Sequence, residues 1–300
     1  MPEQDCLLVK TASEIALKSD FVRRFFTKKL VQSIKFALKA NGLHFTAIER
    51  GGGRLYVFTD KPAKAQAVLS KIPGIHATAL AERFKDTDYE NLEARAVAFS
   101  RKLLKKGDSF ALSVNASNNK DFSGKDLENR IGNAVMKEIP GLTVNLSSPG
   151  KKIFIEVRKH EFFVYNSQER GLGGLPIGVE GSVAMPFSGK KDELLAAFLL
   201  MHRGCNVFPI ASKKILAVKK MLKMLEPFNG CRKFELKGEK DLPQLVEKRN
   251  IRAIATADSR VDEKSLALYK KFDAAQQLVV LRPLLLFPEE RKKEIERLLY

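Results

Sequence analysis

Cysteine and histidine are scarce in this chain of 300 residues, which contains three cysteines and four histidines. Cys6, Cys205 and Cys231 are far apart and form no Cys-x-x-Cys pair, and the histidines are equally scattered. Disulfide frameworks and zinc sites need such residues at short, regular spacings. The sequence therefore indicates neither a disulfide framework nor a metal site.

Long apolar runs are absent as well. No segment approaches the roughly 20 apolar residues of a membrane span. The N-terminus, Met-Pro-Glu-Gln-Asp, lacks the basic and then apolar pattern of a signal peptide. We therefore expect a cytoplasmic protein without a membrane partner. Because 44% of its residues are hydrophobic, the chain can bury an ordinary core in two or three domains.

Basic residues are in clear excess along the whole chain. Lys and Arg total 53 and Asp and Glu total 35, which gives a formal net charge of +18. Such a charge attracts polyanions, and nucleic acid is the partner that it favours. A generally basic or salt-adapted surface is the alternative explanation.

The order of predicted strands and helices divides the chain. Residues 6–82 follow a β-α-β-β-α-β order, which is typical of a ferredoxin-like unit, and their long helix to Ala40 carries apolar residues at Phe21, Phe25, Leu30 and Ile34. Strands and helices that alternate after residue 181 predict a doubly wound parallel sheet. We predict an α/β protein with a ferredoxin-like domain (1–76), a second α/β domain (77–168), a Gly-rich linker (169–180) and a third domain (181–300).

The turn at Ser188 has the layout of a phosphate-binding site, because it joins a strand ending at Phe187 to a helix opening near Asp192. Ligands of doubly wound sheets bind at the carboxyl ends of strands, where this turn would lie. However, Lys190 stands where a second glycine is expected, and Glu193 adds a carboxylate. At about 4 Å that carboxylate would repel a phosphate by about 4 kcal/mol.

Several short motifs, taken in order, resemble the tRNA 4-thiouridine synthetases, also called the thiamine-biosynthesis sulfurtransferases. The resemblance implies a ferredoxin-like domain, a THUMP domain and an adenylating PP-loop domain of the adenine-nucleotide-hydrolase type. From the length of the sequence we expect a protein that lacks that family's rhodanese domain and its sulfur-handling cysteine. The motifs are Ser13–Ser19 with Val22 and Arg23, Ile72–Ile75, Asp121–Gly124 with Asn129–Gly132, Gly173–Gly178, Met201–Cys205 and Leu281–Leu284.

The resemblance also points to candidate site residues. Of the family's Ser-Gly-Gly-x-Asp-Ser loop and its later Thr-Gly-Glu stretch, this chain keeps too little for a complete nucleotide site. The degenerate nucleotide site would comprise Ser188, Gly189, Lys190, Asp192 and Thr256.

The first two domains are implied to bind tRNA, with the THUMP domain holding the acceptor end. Phe122 would stack on a terminal base or belong to a local core, and Asn129 with Arg130 would contact RNA or hold the helix-to-loop geometry. The candidate RNA-binding residues are Lys18, Arg23, Arg24, Arg50, Arg54, Lys120, Phe122, Asn129 and Arg130.

The sequence favours a tRNA-binding THUMP protein without autonomous adenylation or sulfur transfer, with no cofactor and no identified catalytic residue. The alternative is a divergent tRNA sulfurtransferase that uses ATP with Mg²⁺ and makes 4-thiouridine with sulfur from another protein. Cys231, beside Arg232 and Lys233, is more typical of an inert thiol than of a nucleophile. A separate catalytic or sulfur-donor protein and a homodimer are both left open as partners.

Overall fold

The computed structural model describes residues 5–51, 53–85, 88–116, 123–158, 161–211 and 216–300. The chain forms two compact units. The first consists of Met1–Lys10, Leu43–Ala67 and Ala77–Arg170, and the second of Thr11–Gly42, Val68–His76 and Gly171–Tyr300. The domain boundaries predicted from the sequence divide the chain differently and stay a prediction.

The first nine strands form one sheet in the order β2-β3-β1-β4-β8-β7-β5-β6, with β9 paired to β4. The order β2-β3-β1-β4 is the one that a ferredoxin-like β-α-β-β-α-β chain produces, so that prediction is confirmed. The strands are β1 (Asp5–Thr11), β2 (Phe45–Gly51), β3 (Arg54–Thr59), β4 (Ile75–Phe84), β5 (Ser109–Asn115), β6 (Thr143–Val144), β7 (Lys151–Val157), β8 (Phe162–Tyr165) and β9 (Glu169–Gly173).

Two helices pack against the second half of this sheet, α4 (Tyr89–Leu103) and α5 (Gly124–Glu138). Their apolar faces form a core with strand residues such as Phe110 and Ile153. Successive side chains of a strand point to opposite faces of the sheet. Other strand residues, among them Tyr56 and Phe163, therefore belong to a separate core cluster. The second α/β domain predicted from the sequence is therefore present. The helices before it are α1 (Ser13–Ala16), α2 (Asp20–Ala40) and α3 (Pro62–Leu69).

The C-terminal sheet is parallel throughout and has the order β12-β11-β10-β13-β14. Val183 and Met185 of β10 pack into one core cluster, whereas Ala184 between them packs with Leu245 of α8. Helices thus cover both faces, which confirms the doubly wound sheet. The elements are β10 (Ser182–Pro186), α6 (Lys191–His202), β11 (Asn206–Ala211), α7 (Leu216–Leu225), β12 (Lys237–Gly238), α8 (Leu242–Arg249), β13 (Ile251–Ala255), α9 (Glu263–Ala274), β14 (Val279–Leu281) and α10 (Glu289–Leu299).

One predicted strand, over residues 232–236, is wrong, because β12 contains only Lys237 and Gly238. The chain before it turns through left-handed backbone at Gly230 and Cys231. Arg232 then donates a hydrogen bond to Ser33 of α2 and lies over the Phe36 ring. These side-chain contacts with a helix replace the pairing of an extended strand.

Three of the motifs noted in the sequence meet in one junction of the second unit. The Gly74 amide donates to the Gly173 carbonyl at 2.7 Å, and the Leu175 amide donates to the His202 carbonyl at 2.9 Å. The Gly178 amide donates to the Gly204 carbonyl at 2.7 Å. The glycines of these motifs therefore serve close backbone contact rather than chemistry. Among the helices described, none is long and apolar enough to cross a bilayer.

Gly173 and Gly174 provide a matched test of that junction, because both have positive φ, +71° and +72°. A Cβ at Gly174 would clash with the His202 carbonyl oxygen and lie 2.8 Å from its ring Nε2, whereas one at Gly173 would meet nothing within 4 Å. We expect Gly173→Ala to cost about 1–2 kcal/mol of unfolding free energy from backbone strain alone. Gly174→Ala should cost about 2–5 kcal/mol, because overpacking adds to the strain. Urea denaturation measures the free energy of unfolding of both variants. Equal losses would show that Gly174 is not packed against His202 as described.

Candidate functional site

The turn between β10 and α6 forms a concave cluster of backbone donors. Gly189 has φ of +103°, a conformation that favours glycine, whereas Lys190 is extended with φ −82° and ψ 142°. The amides of Ser188, Gly189 and Lys190 consequently point to one place at the N-terminus of α6. Such a nest of N–H groups at a helix N-terminus binds anions.

The anion in this nest is the carboxylate of Glu193. Its Oε2 accepts hydrogen bonds from the amides of Ser188 at 2.9 Å, Gly189 at 2.9 Å and Lys190 at 3.1 Å. Its Oε1 accepts the Ser188 hydroxyl hydrogen bond at 2.6 Å. Glu193 is only 7% exposed. The chain therefore supplies its own anion to the donors that a bound phosphate would need.

This arrangement differs from the one expected from the sequence. Glu193 was expected to face a phosphate across the turn and repel it, but its side chain folds back into the nest. The reason is local: Glu193 is the third residue of α6, and a glutamate at that position reaches back to the amides that precede the helix. The positive end of the helix dipole adds to the attraction.

The remaining candidate nucleotide residues are Asp192 and Thr256, and neither donates to Glu193. Asp192 is half-buried in the first turn of α6, while the Ser188 and Lys190 residues that contribute amides to the nest are exposed. Thr256 directly follows β13, which pairs in parallel with β10. The segment that begins at Thr256 and the turn at Ser188 therefore follow neighbouring strands. Its hydroxyl donates to Asp258 at 2.7 Å.

An ion-pair cluster continues from Thr256 along the same edge of the sheet. Asp258 accepts a hydrogen bond from Nε of Arg282 at 3.0 Å, and both terminal nitrogens of Arg282 reach Asp273, at 3.1 and 2.7 Å. The guanidinium also lies 4.6 Å from the centre of the Tyr269 ring. The hydrogen bonds to the two carboxylates raise the pKa of Arg282 above its usual range. Sequence reasoning singled out Arg282 within a motif but missed its two partners, which are distant in sequence.

The turn does not fit the phosphates of ATP as it stands. The three amides and the hydroxyl that would hold a phosphate are all engaged by Glu193. Within the described residues, no group of His, Cys, Asp and Glu side chains is arranged to hold a metal ion.

The cysteines occupy structural positions. Burial raises the pKa of the Cys205 thiol to about 11 and raises that of Cys6 well above its usual range, so both stay protonated at neutral pH. Cys231 is half-buried, and its sulfur accepts a hydrogen bond from Nδ2 of Asn41 at 3.3 Å. Burial of this kind is typical of structural cysteines, whereas reactive cysteines lie at partly exposed positions near positive charge.

The candidate RNA-binding residues belong to both units. In the second unit Lys18, Arg23 and Arg24 are exposed near the start of α2, and Arg23 pairs with Asp20. Phe21 and Phe25 of the same helix, expected as part of its apolar face, are 84% and 42% exposed. The core face of α2 instead begins at Phe26 and continues through Leu30 and Ile34.

In the first unit Arg50 is exposed at the end of β2, whereas Arg54 points inward. Nε of Arg54 lies 2.7 Å from Oε1 of Glu156, a buried carboxylate that also accepts the Tyr165 hydroxyl at 2.9 Å. Burial, with Glu156 beside it, raises the pKa of Tyr165 above its usual range. Arg54 thus neutralises a buried acid.

On α5 of the same unit, Asn129 and Arg130 are exposed, and the Arg130 guanidinium stacks 3.7 Å from the centre of the Tyr89 ring. Such stacking holds the arginine in place while leaving its N–H groups at the surface. Lys120 and Phe122 lie outside the described residues.

Comparison with known proteins agrees with this architecture. Residues 6–79 match the model of the ThiI ferredoxin-like domain, and residues 86–166 match that of the THUMP domain. A probable tRNA sulfurtransferase of Methanosarcina acetivorans is 33% identical over 211 residues, which are 69% of this chain and 51% of that protein. The chain is a THUMP-domain relative of the tRNA sulfurtransferases. The tRNA sulfurtransferase of Blochmanniella pennsylvanica is 30% identical over 204 residues, 67% of this chain and 42% of its own length.

This THUMP protein thus spans about half the length of the curated relatives that it matches. Among solved structures, PH1313 from Pyrococcus horikoshii Ot3 superimposes with a TM-score of 0.86 at 22% identity, over 98% of this chain and 99% of PH1313. A 4-thiouridine synthetase, solved as an RNA complex with bound ATP, gives a TM-score of 0.79 at 18% identity, over 99% of this chain and 85% of that one. The ferredoxin-like domain, the THUMP domain and the parallel sheet predicted from the sequence are confirmed.

The Glu193 contacts predict a specific stability loss. Glu193→Ala should lower the free energy of unfolding by about 1–3 kcal/mol, because the amides lose a charged acceptor. Glu193→Gln should cost less, since its amide oxygen still accepts. Glu263→Ala, at an exposed glutamate in the first turn of α9, is the matched control and should be nearly silent. Urea unfolding measures all three variants, and equal losses at positions 193 and 263 would contradict the assignment.

Proposed function

We propose that this chain binds tRNA through its ferredoxin-like and THUMP domains, and that its PP-loop domain neither adenylates tRNA nor transfers sulfur by itself. One observation carries the second half of the proposal: the buried Glu193 carboxylate occupies the nest that would otherwise receive phosphate. The PP-loop domain would then serve as a platform for RNA or for a protein that supplies the chemistry. The domain architecture and the surface charge support the first half.

The cost of admitting ATP follows from the contacts of Glu193. A phosphate would have to displace a carboxylate that accepts four hydrogen bonds, each worth about 1.5–3 kcal/mol when the acceptor is charged. The phosphate would recover most of these bonds, but the displaced carboxylate would remain close to it. A residual penalty of about 4 kcal/mol lowers the affinity several hundred-fold.

Support for tRNA as the ligand comes from charge and from relatives. The net charge is +18, and Lys18, Arg24 and Arg50 are all exposed. Basic residues of this kind contact phosphates and fix the position of the RNA without reading its sequence. The relatives are named tRNA sulfurtransferases, and the second structural neighbour was solved with RNA. We extend tRNA binding, at the acceptor end, from these proteins to this chain.

The alternative function is that of a divergent sulfurtransferase which makes 4-thiouridine with ATP and with sulfur from another protein. It is supported by the likeness of the fold to a 4-thiouridine synthetase solved with ATP. In that case Glu193 would have to leave the nest when substrates bind. The two functions therefore differ in whether the nest opens.

An ATP titration separates them. By calorimetry with Mg²⁺ present, with and without tRNA, we expect the native chain to bind ATP weakly or not at all. Lys190→Gly combined with Glu193→Ser should bind at least tenfold more tightly, because the amides regain freedom to hold phosphate. Glu263→Ser is the matched control and should leave ATP binding unchanged. Micromolar affinity of the native chain for ATP would support the alternative, a divergent sulfurtransferase.

The tRNA proposal predicts a steep dependence on salt. With the whole chain, log K should fall linearly with log salt concentration between about 50 and 200 mM. Lys18→Ala with Arg24→Ala should weaken binding to every tRNA and reduce the magnitude of that slope by roughly 1.5, because two phosphate contacts are lost. Lys270→Ala with Lys271→Ala, exposed on α9, removes the same charge as a control. The whole chain is needed because α2 groups with residues 171–300. A flat salt response would overturn the proposal.

A further inference from the structure

An exposed apolar patch lies at the start of α2 and consists of Leu17, Phe21 and Phe25. These side chains are 86%, 84% and 42% exposed. Burying a phenylalanine side chain is worth about 1.5–3 kcal/mol, so a phenylalanine left almost entirely in water is unusual and indicates a binding surface when it has apolar neighbours. The α2 core does not account for the patch, because Phe26, Leu30 and Ile34 fill that role.

The spacing places the patch on one side of the helix. Phe21 and Phe25 are four residues apart, so they share a face and are separated by about 6 Å along the axis. Successive bases of a nucleic-acid strand rise by about 3.4 Å. Two rings with this separation can therefore flank or support unpaired bases.

Positive charge surrounds the patch. Lys18, Arg24 and Lys28 are exposed beside it, and the Lys29 ammonium lies 5.7 Å from the centre of the Phe25 ring. Between Leu17 and Lys29 the only acidic residue is Asp20, and it pairs with Arg23. The charge of this face is therefore complementary to a phosphate backbone, and its rings are complementary to bases.

We propose that Phe21 and Phe25 form a stacking platform for unpaired bases of RNA, while the neighbouring lysines and arginines hold the adjoining phosphates. Proteins that bind single-stranded nucleic acid combine these two kinds of contact. We infer unpaired bases as the partner because their ring faces are free to stack, whereas the bases of a duplex are stacked on one another. Proteins also recognise RNA mainly at its single-stranded loops and ends. This inference rests on the proposed tRNA binding and adds a contact that does not depend on charge.

The test compares the native chain with Phe21→Ala, Phe25→Ala and the double variant. Binding is measured to tRNA and to a blunt RNA duplex of similar length. Each alanine variant should lose about 5- to 150-fold in affinity for tRNA, the range expected for one stacked base, and should bind the duplex as the native chain does. The salt slope should stay unchanged, because no phosphate contact is removed. Phe21→Trp should keep or increase the tRNA affinity.

Controls separate stacking from other effects. Leu268→Ala removes a 60% exposed leucine on α9 and should change neither affinity. Thermal unfolding must be unchanged in the phenylalanine variants, and Phe21→Tyr, which keeps an aromatic ring, tests the platform if an alanine variant fails to fold. If the alanine variants bind tRNA as the native chain does, or lose tRNA and duplex affinity equally, the stacking platform is wrong.

Two further outcomes identify which claim fails. If the native chain does not bind tRNA, the proposed function fails and the platform falls with it. If the native chain binds tRNA but only its binding to vesicles of anionic lipid depends on Phe21 and Phe25, the patch is a membrane surface. In that case tRNA binding stands and the platform alone is overturned.

Discussion

The contact on which the interpretation of this protein depends is the one between the Glu193 carboxylate and the amides before α6. A helix N-terminus that follows a glycine turn attracts an anion, and a carboxylate three residues into the helix satisfies that demand at very short range. The same donors cannot hold a phosphate while Glu193 is bound to them. A single side chain therefore satisfies the free amides of this turn and makes it a self-contained helix cap.

The rest of the C-terminal domain is a doubly wound sheet, in which the turn lies at the carboxyl end of β10. Its parallel sheet is covered by helices on both faces. At the neighbouring strand ends the polar groups are also paired internally, since Arg282 is shared between Asp258 and Asp273. Glu193 and Arg282 thus both find their partners within this edge of the sheet. By contrast, the basic and aromatic residues at the start of α2 remain exposed, and there the surface is suited to bind something else.

The fold could be predicted well from the sequence because the signals for strands and helices lie within short segments and recur along the chain. Alternating apolar strands and helices gave the parallel sheet, and the short motifs with their glycines marked the junction around Gly174 and Gly204. The predicted strand over residues 232–236 failed because contacts with α2, far away in sequence, hold that segment. Exposure of Phe21 was missed for a similar reason, since helical periodicity does not show which of two apolar faces is buried.

The sequence also identified the turn at Ser188 but not the state of its donors, because the conformation of Glu193 is decided by hydrogen bonds within the fold. The most direct measurement of that state is the ¹⁵N–¹H spectrum of the whole chain, recorded as ATP or pyrophosphate with Mg²⁺ is added. The amide signals of Ser188, Gly189 and Lys190 should not move at millimolar ligand, since Glu193 already occupies their acceptor position. A saturable shift of these three signals would show that phosphate displaces Glu193 and would contradict the account.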